Sequence, residues 1–480
     1  MNHDSPNDSI QESIVRESFL ALGLSSPNPP VAAVITDESG RILVSAHTQR
    51  TGFNHAEREV YRLWGEDLSL SKAKSLPHHL FVSLEPCTHF GRTAPCRDLI
   101  LDRKPKSISV GCLDPNPLVV EKRNSEVYQQ AGIEWKFSET LKISTKDYLE
   151  PFITRITHNR PKIILKTVVS KEGNFAPENQ GNFSISNAAS NCVLSLLRSK
   201  VDCILVGPKT VTLDNPSLDF RIPNDISELL KSENNNSNYT QFKSSDSNDF
   251  QNSISIQAGS KYNPITDVEI VNTDLYSRLI EYSKDSSIWK EAIEHYVFYQ
   301  PKRAFVIDQY QAIDSKFIEK QIKIQEALRT YIQENINDHT NSQLTESKNE
   351  LLPEVIFFLL EGKDLSSTDF SSNEIDRLLK IPNSKIIKLE SENFGNQILD
   401  ELNLLGVNLL LIEGGNLLYK EFFDILQSQD EILYVQNNDI SIPKGKAPVF
   451  ADKLKNAFFQ KEINSDTWKV FKKEELCLQV

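Results

Sequence analysis

Wholly apolar runs recur along this chain, at 80–82, 163–165, 203–206 and 409–412. Each is bounded by polar or glycine-bearing turns, the mark of strands buried on both faces in a largely parallel sheet. Between them lie stretches with helical spacing. Val60, Leu63 and Trp64 set one apolar face over 56–64, and Pro95 precedes a second helix at 97–102. A charged helix is predicted over 316–334. Alternation of such strands and helices predicts an α/β class for the whole chain.

The pattern divides the chain. Polar residues at 154–161 separate a charged helical stretch from the strand at 163–165, with 144–153 expected to be a short connector. The expected domains are 1–150 and 160–480, each with its own core, and the second carries a long insertion at about 222–300. Within it, 233–264 is rich in Asn, Ser, Asp and Gln, a disordered-loop composition, whereas 275–299 is expected to form a surface helix. A further polar stretch covers 335–349. The insertion reads either as neutral lengthening of a loop, which costs little entropy, or as an interaction surface, for instance in a homo-oligomer.

Composition narrows the partners. At 480 residues the chain exceeds one core, and 39% hydrophobic with 25% charged residues is ordinary for a soluble protein. No apolar run is long enough to span a bilayer. A formal charge of −13 argues against the basic track that a nucleic-acid partner needs. Six scattered cysteines and no recognisable signal peptide point to thiols in the cytoplasm rather than disulfides.

Four residues carry candidate chemistry: His55, Glu57, Cys87 and Cys96. One imidazole and two thiolates make a three-ligand zinc site that leaves a position open for water. A glutamate two residues after the histidine is placed to shuttle protons in hydrolytic deamination of a nitrogen heterocycle. The alternative is a closed structural site with His89 as fourth ligand, a non-enzymatic zinc-binding scaffold.

The spacing from Cys87 to Cys96 is longer than in nucleoside deaminases, and the run CTHFGRTAPC at 87–96 resembles the deaminase signature of riboflavin biosynthesis. PNPPVAAVI at 27–35, His47 with Gly52, and LDPNP at 113–117 extend the likeness. Farther on, KTVVSKEG at 166–173, the long stretch at 198–221, PKRAFVID at 301–308 and LLIEGGNLL at 410–418 are similar to the reductase of the same family. The chain thus resembles the bifunctional family that joins a diaminohydroxyphosphoribosylaminopyrimidine deaminase to a 5-amino-6-(5-phosphoribosylamino)uracil reductase. The resemblance implies a three-layer α/β/α cytidine-deaminase-like domain followed by a dihydrofolate-reductase-like α/β domain.

It also implies cofactors and roles. Zinc and NADPH are expected, with a small phosphorylated pyrimidine as substrate. Positions matching the family's NADPH contacts are Val168, Ser184, Thr210, Asp214, Gly415, Asn416 and Leu417; those matching substrate contacts are Asn182, Arg198, Leu218, Arg221 and Glu413. Independently of the likeness, Gly414 and Gly415 between strand and helix would let backbone N–H groups approach phosphate, although a glycine pair is also an ordinary tight turn. Two arginines suit a ribose phosphate.

Departures mark the reductase as the less regular half. Ser184 stands where the family usually has tryptophan, Glu172 where aspartate is usual, and the expected ending after Tyr434 becomes VQNNDISIPKG. In the first half, Ala32 and the segment 121–124 replace glycine-bearing positions. A deaminase with a decayed reductase is one alternative. A purine or nucleoside deaminase is another, and it would leave Arg198, Arg221 and the C-terminal half without a purpose.

Overall fold

A computed structural model describes residues 8–67, 76–90, 94–120, 124–178, 184–224, 226–227, 273–308, 312–335, 351–361 and 372–473. The segments 233–264 and 336–349 and the position Asn182 lie outside the described residues.

Two sheets organise the chain. The first is built from β1 (Ala32–Thr36), β2 (Ile42–His47), β3 (His79–Leu84), β4 (Ser107–Cys112) and β5 (Glu134–Phe137), in the order β2-β1-β3-β4-β5. β1 runs antiparallel to both neighbours, while β3, β4 and β5 are parallel. Every residue of β4 is buried, because helices cover both faces. On one side Ile10 and Ile14 of the helix Asp8–Ala21 pack with Val34 and Leu141; on the other Val60, Trp64 and Ile100 pack with Val82 and Val110.

The second sheet has nine strands. β6 (Lys162–Val169), β8 (Cys203–Val206), β9 (Lys302–Asp308), β10 (Val355–Glu361), β11 (Ser384–Glu390), β12 (Leu409–Glu413) and β13 (Glu431–Asn437) are parallel, and the hairpin β15 (Phe459–Ile463) and β16 (Asp466–Lys472) closes one edge. The order is β11-β10-β9-β8-β12-β6-β13-β16-β15. β16 pairs antiparallel to β13. Two short strands, β7 (Ala176–Pro177) and β14 (Gly445–Lys446), pair separately. Gly445 is required there: a Cβ would lie 2.5 Å from the Ala176 carbonyl oxygen.

Three expectations need correction. Residues 144–153 are no connector but the middle of the helix Glu139–His158, capped by Ser138 and running through Pro151. Its apolar face, Leu141, Tyr148, Leu149 and Phe152, is spaced for a helix, but the charged residues between obscure it. Residues 275–299 form no surface helix. They make two helices, Leu275–Tyr282 and Ser286–Glu294, started by Asp274 and Asp285 and burying Leu279, Ile288 and Trp289.

The third correction concerns separate cores. Val15, Phe19, Leu20 and Tyr148 from the first half share one apolar cluster with Leu197, Ile204, Leu279 and Trp289 from the second. Phe19 meets Tyr282 edge to face at 4.8 Å between ring centroids. The halves are joined by a continuous core, with β6 following the linking helix after a left-handed Asn159.

Candidate functional site

His55 immediately precedes the helix Ala56–Asp67, and its carbonyl accepts from Glu59 N–H at 2.9 Å. Cys87 follows the end of β3, and Cys96 opens the helix Cys96–Arg103. Their ligand atoms lie within 4.8 Å of one another, the one such trio among the described residues. His55 Nδ1 is 3.6 Å from Cys87 Sγ and 3.5 Å from Cys96 Sγ. Bonds of about 2.3 Å to sulfur and 2.0–2.1 Å to nitrogen meeting at a tetrahedral angle separate the two donors by about 3.6 Å, so the trio fits zinc. His89 is no member of it.

Glu57 lies two residues after His55 and is only 3% exposed. Burial first, then negative charge on Cys87, pushes its carboxyl up to about 6. A bound dication would oppose the second contribution. A buried carboxyl that titrates near neutrality can both take and return a proton. The two thiols influence each other: a hydrogen bond from Cys96 stabilises the Cys87 thiolate, and that shared proton raises Cys96.

Supporting contacts escaped the sequence reading. Arg58 donates from Nε and Nη2 to the Ala94 carbonyl at 3.2 and 3.0 Å, fixing the approach to Cys96. Asn124, fully buried in the segment that replaces a glycine-bearing loop, donates to Glu85 Oε1 at 3.0 Å and to the Pro86 carbonyl at 2.9 Å. It pins the turn that presents Cys87. His47 Nδ1 is 2.6 Å from Glu17 Oε2. No motif signals these pairings, because each partner is remote in sequence.

In the second half, adjacent strands bring cations onto one carboxylate. Lys166 of β6 and Glu413 of β12 are register neighbours, and Lys166 Nζ lies 3.2 Å from Glu413 Oε1. Arg198, last in the helix Ala188–Arg198, donates from Nη2 to Glu413 Oε2 at 2.7 Å. Burial opposes the Glu413 charge, but Arg198 and Lys166 outweigh it and hold the carboxyl down at about 2. Arg221 pairs with Asp219 at 2.9 Å. Lys166, Arg198 and Arg221 together line a cleft of about 1210 Å³. Leu218, between the cleft residues Asn215 and Arg221, is buried and has a left-handed φ of +56°.

The positions matched to NADPH lie outside that cleft's wall. Thr210 and Asp214 lie on the helix Pro208–Asp214 after β8, and Asn416 and Leu417 begin the helix Asn416–Ile425 after β12. A Cβ on Gly207 or on Gly414 would meet Leu418 at 3.3 or 3.0 Å, so the two helix starts are side by side. Neither has a side-chain cap, which leaves backbone N–H groups for an anion. Around Gly415 a Cβ would meet nothing nearer than Phe175 at 3.9 Å. This open backbone at paired helix starts fits a dinucleotide phosphate. Asn416 bonds the Ala447 carbonyl and Val449 N–H, Val168 is half-buried in β6, and Ser184 is exposed.

Comparison with known proteins follows the same division. The cytidine and deoxycytidylate deaminase zinc-binding region matches residues 9–112, and the RibD C-terminal domain matches 161–338. The riboflavin biosynthesis protein RibD of Actinobacillus pleuropneumoniae is 36% identical over 204 residues, covering 42% of this chain and 51% of that protein. That of Aquifex aeolicus is 38% identical over 199 residues, 42% of this chain and 53% of the relative. Over both matched regions the chain is similar to RibD proteins.

As aligned, the chain spans about half the length of the curated RibD relatives it matches. The Thermotoga maritima diaminohydroxyphosphoribosylaminopyrimidine deaminase/5-amino-6-(5-phosphoribosylamino)uracil reductase shares the fold, with a TM-score of 0.60, 20% identity and 97% of each chain covered. Acinetobacter baumannii RibD, form 1, gives 0.61 at 17% identity over 96% of this chain and 97% of that one. The RibD fold therefore extends across both sheets. No helix among the described residues is long and apolar enough to cross a membrane.

Proposed function

We propose that the chain is a bifunctional riboflavin biosynthesis enzyme. It would remove an amino group hydrolytically from 2,5-diamino-6-(5-phosphoribosylamino)pyrimidin-4-one and then reduce the ribosyl group to ribityl with NADPH. The observation that carries the reading is the meeting of His55, Cys87 and Cys96 beside the buried Glu57. His55, Cys87 and Cys96 would hold zinc, which supplies Lewis acidity that activates water at neutral pH.

Glu57 takes the proton from the attacking water and delivers it to the ring nitrogen beside the attacked carbon. It then protonates the departing ammonia. Arg58 and Asn124 keep the Cys96 and Cys87 segments in place while this happens.

In the second half Arg198 and Arg221, with Lys166, bind the phosphorylated sugar in the cleft. The uncapped helix starts near Thr210 and Gly415, with Val168, Ser184, Asp214, Asn416 and Leu417, would hold NADPH, the source of hydride for the sugar C1 carbon. Asn182, Leu218 and Glu413 complete the substrate set by likeness to the family. A negatively charged chain with local basic clefts suits a small phosphorylated substrate in the cytoplasm, with no nucleic-acid partner.

One sample of the full chain tests both steps. Supplied with the pyrimidine substrate it should release ammonia, and on adding NADPH it should consume one equivalent of cofactor per ammonia released. Ammonia without NADPH oxidation would leave a deaminase alone; neither would overturn the reading.

A further inference from the structure

Phe220, next to Arg221, is held by Tyr296, near the end of the segment 275–299, and by Gln300 just after it. Its N–H donates to Gln300 Oε1 at 3.0 Å, and its carbonyl accepts from Gln300 Nε2 at 3.1 Å and from Tyr296 Oη at 3.0 Å. The side-chain amide thus mimics a strand edge, satisfying both backbone groups of one residue. Phe220 is fully buried and Gln300 is 9% exposed, so the Phe220 backbone groups are shielded from bulk water. The Phe220 ring stacks over Trp289 at 6.3 Å between centroids.

We infer that Gln300 and Tyr296 are positioning residues that present Arg221 to the phosphate of the substrate; this rests on reading Arg221 as a phosphate ligand. The loop they clasp has bonds of its own, Arg221 to Asp219 and to Ser217 Oγ and Ser195 Oγ to the Arg221 carbonyl, but it also carries strain. Leu218 has φ of +56°, a conformation that a leucine keeps only where its surroundings impose it. The start of the loop is held too, by Gln321 Nε2 on the Pro216 carbonyl at 2.7 Å and Lys320 Nζ on the Asn215 carbonyl at 3.0 Å.

The clasp is itself anchored in the other half of the chain. Tyr299 Oη donates to the Leu20 carbonyl at 2.6 Å, Arg278 bonds Glu12 Oε1 at 2.9 Å, and Tyr148 Oη donates to the Thr273 carbonyl at 2.9 Å. Residues 273–300 therefore brace the reductase cleft against the deaminase half.

Kinetics of the full chain test this. Gln300→Ala should raise KM for the deaminated phosphorylated substrate about tenfold, with kcat and KM for NADPH changed less than about twofold. Because the effect runs through Arg221, the double variant Arg221→Ala/Gln300→Ala should be no worse than Arg221→Ala alone. Gln300→Glu, which keeps the acceptor and loses the donor, should fall between and covers the case in which the alanine variant does not fold.

Calorimetric titration with ribose 5-phosphate should give the same order of affinities without any turnover. An unchanged KM, an equal loss in kcat and both KM values, or losses that multiply in the double variant would overturn the inference. If the wild type binds ribose 5-phosphate but oxidises no NADPH, the reductase reading fails while the clasp stands. If it binds no ribose 5-phosphate, the clasp has no phosphate to serve and falls.

Discussion

Arg198 grips Glu413 with two nitrogens, Nη2 at 2.7 Å and Nε at 3.3 Å. The carboxylate also faces Lys166, so one half-buried anion keeps two cations from repelling each other across the cleft.

Glu413→Gln should therefore destabilise the protein at neutral pH by about 1–3 kcal/mol, the cost of leaving two half-buried cations without their anion. The wild-type contribution has a definite pH window. The folded carboxyl, at about 2, lies below its ordinary 4.5, so its stabilisation is present above about 4.5 and is lost as pH falls through about 2. Unfolding midpoints taken from pH 7 downward should show that loss in the wild type and a flatter profile in the variant.

Glu57→Gln keeps the size of the side chain and removes its ability to carry a proton. Ammonia release should fall by about 10²–10⁴-fold, with zinc content and unfolding midpoint unchanged. NADPH oxidation with already deaminated substrate should persist. Ammonia release at the wild-type rate would remove Glu57 from the mechanism.

Stripping zinc with a chelator should abolish deamination and raise the count of reactive thiols, since Cys87 and Cys96 lose their partner. The cleft lined by Lys166, Arg198 and Arg221 draws no residue from that trio. Its KM for substrate should stay the same in the stripped protein, read by NADPH absorbance.

Gly23 and Gly40 form a paired test. Both have φ near +80°, at +82° and +83°, but a Cβ at Gly23 would lie 2.2 Å from the Ser199 carbonyl oxygen, whereas nothing lies within 4 Å at Gly40. Gly40→Ala should cost about 1 kcal/mol from backbone strain alone. Gly23→Ala should cost clearly more, seen as a larger drop in Tm, because the two halves meet at that point.

Much of this was legible in sequence where the signal is local. The apolar run at 203–206 is β8, 409–412 falls in β12, and 316–334 falls in the helix Ser315–Asn335. The zinc trio was legible because the chemistry restricts residue type and spacing together. Asn124 on Pro86, Arg58 on Ala94 and Gln300 on Phe220 were not, since each joins a side chain to a distant backbone group with no residue preference. The fate of 275–299 was misread for a related reason: Tyr276, Leu279 and Trp289 look amphipathic by spacing, and only the facing surface of the first half makes them buried.

The apolar cluster that contains Phe19, Tyr148, Leu279 and Trp289 bears on inheritance as well as folding. Cutting the chain at 159–161 would strip each fragment of part of its interior and leave two adhesive faces. A lineage in which one half lost its use could not discard the matching length of polypeptide. It would keep the idle half as ballast, and gene fission would require new polar residues on both sides of the cut before either product could live alone.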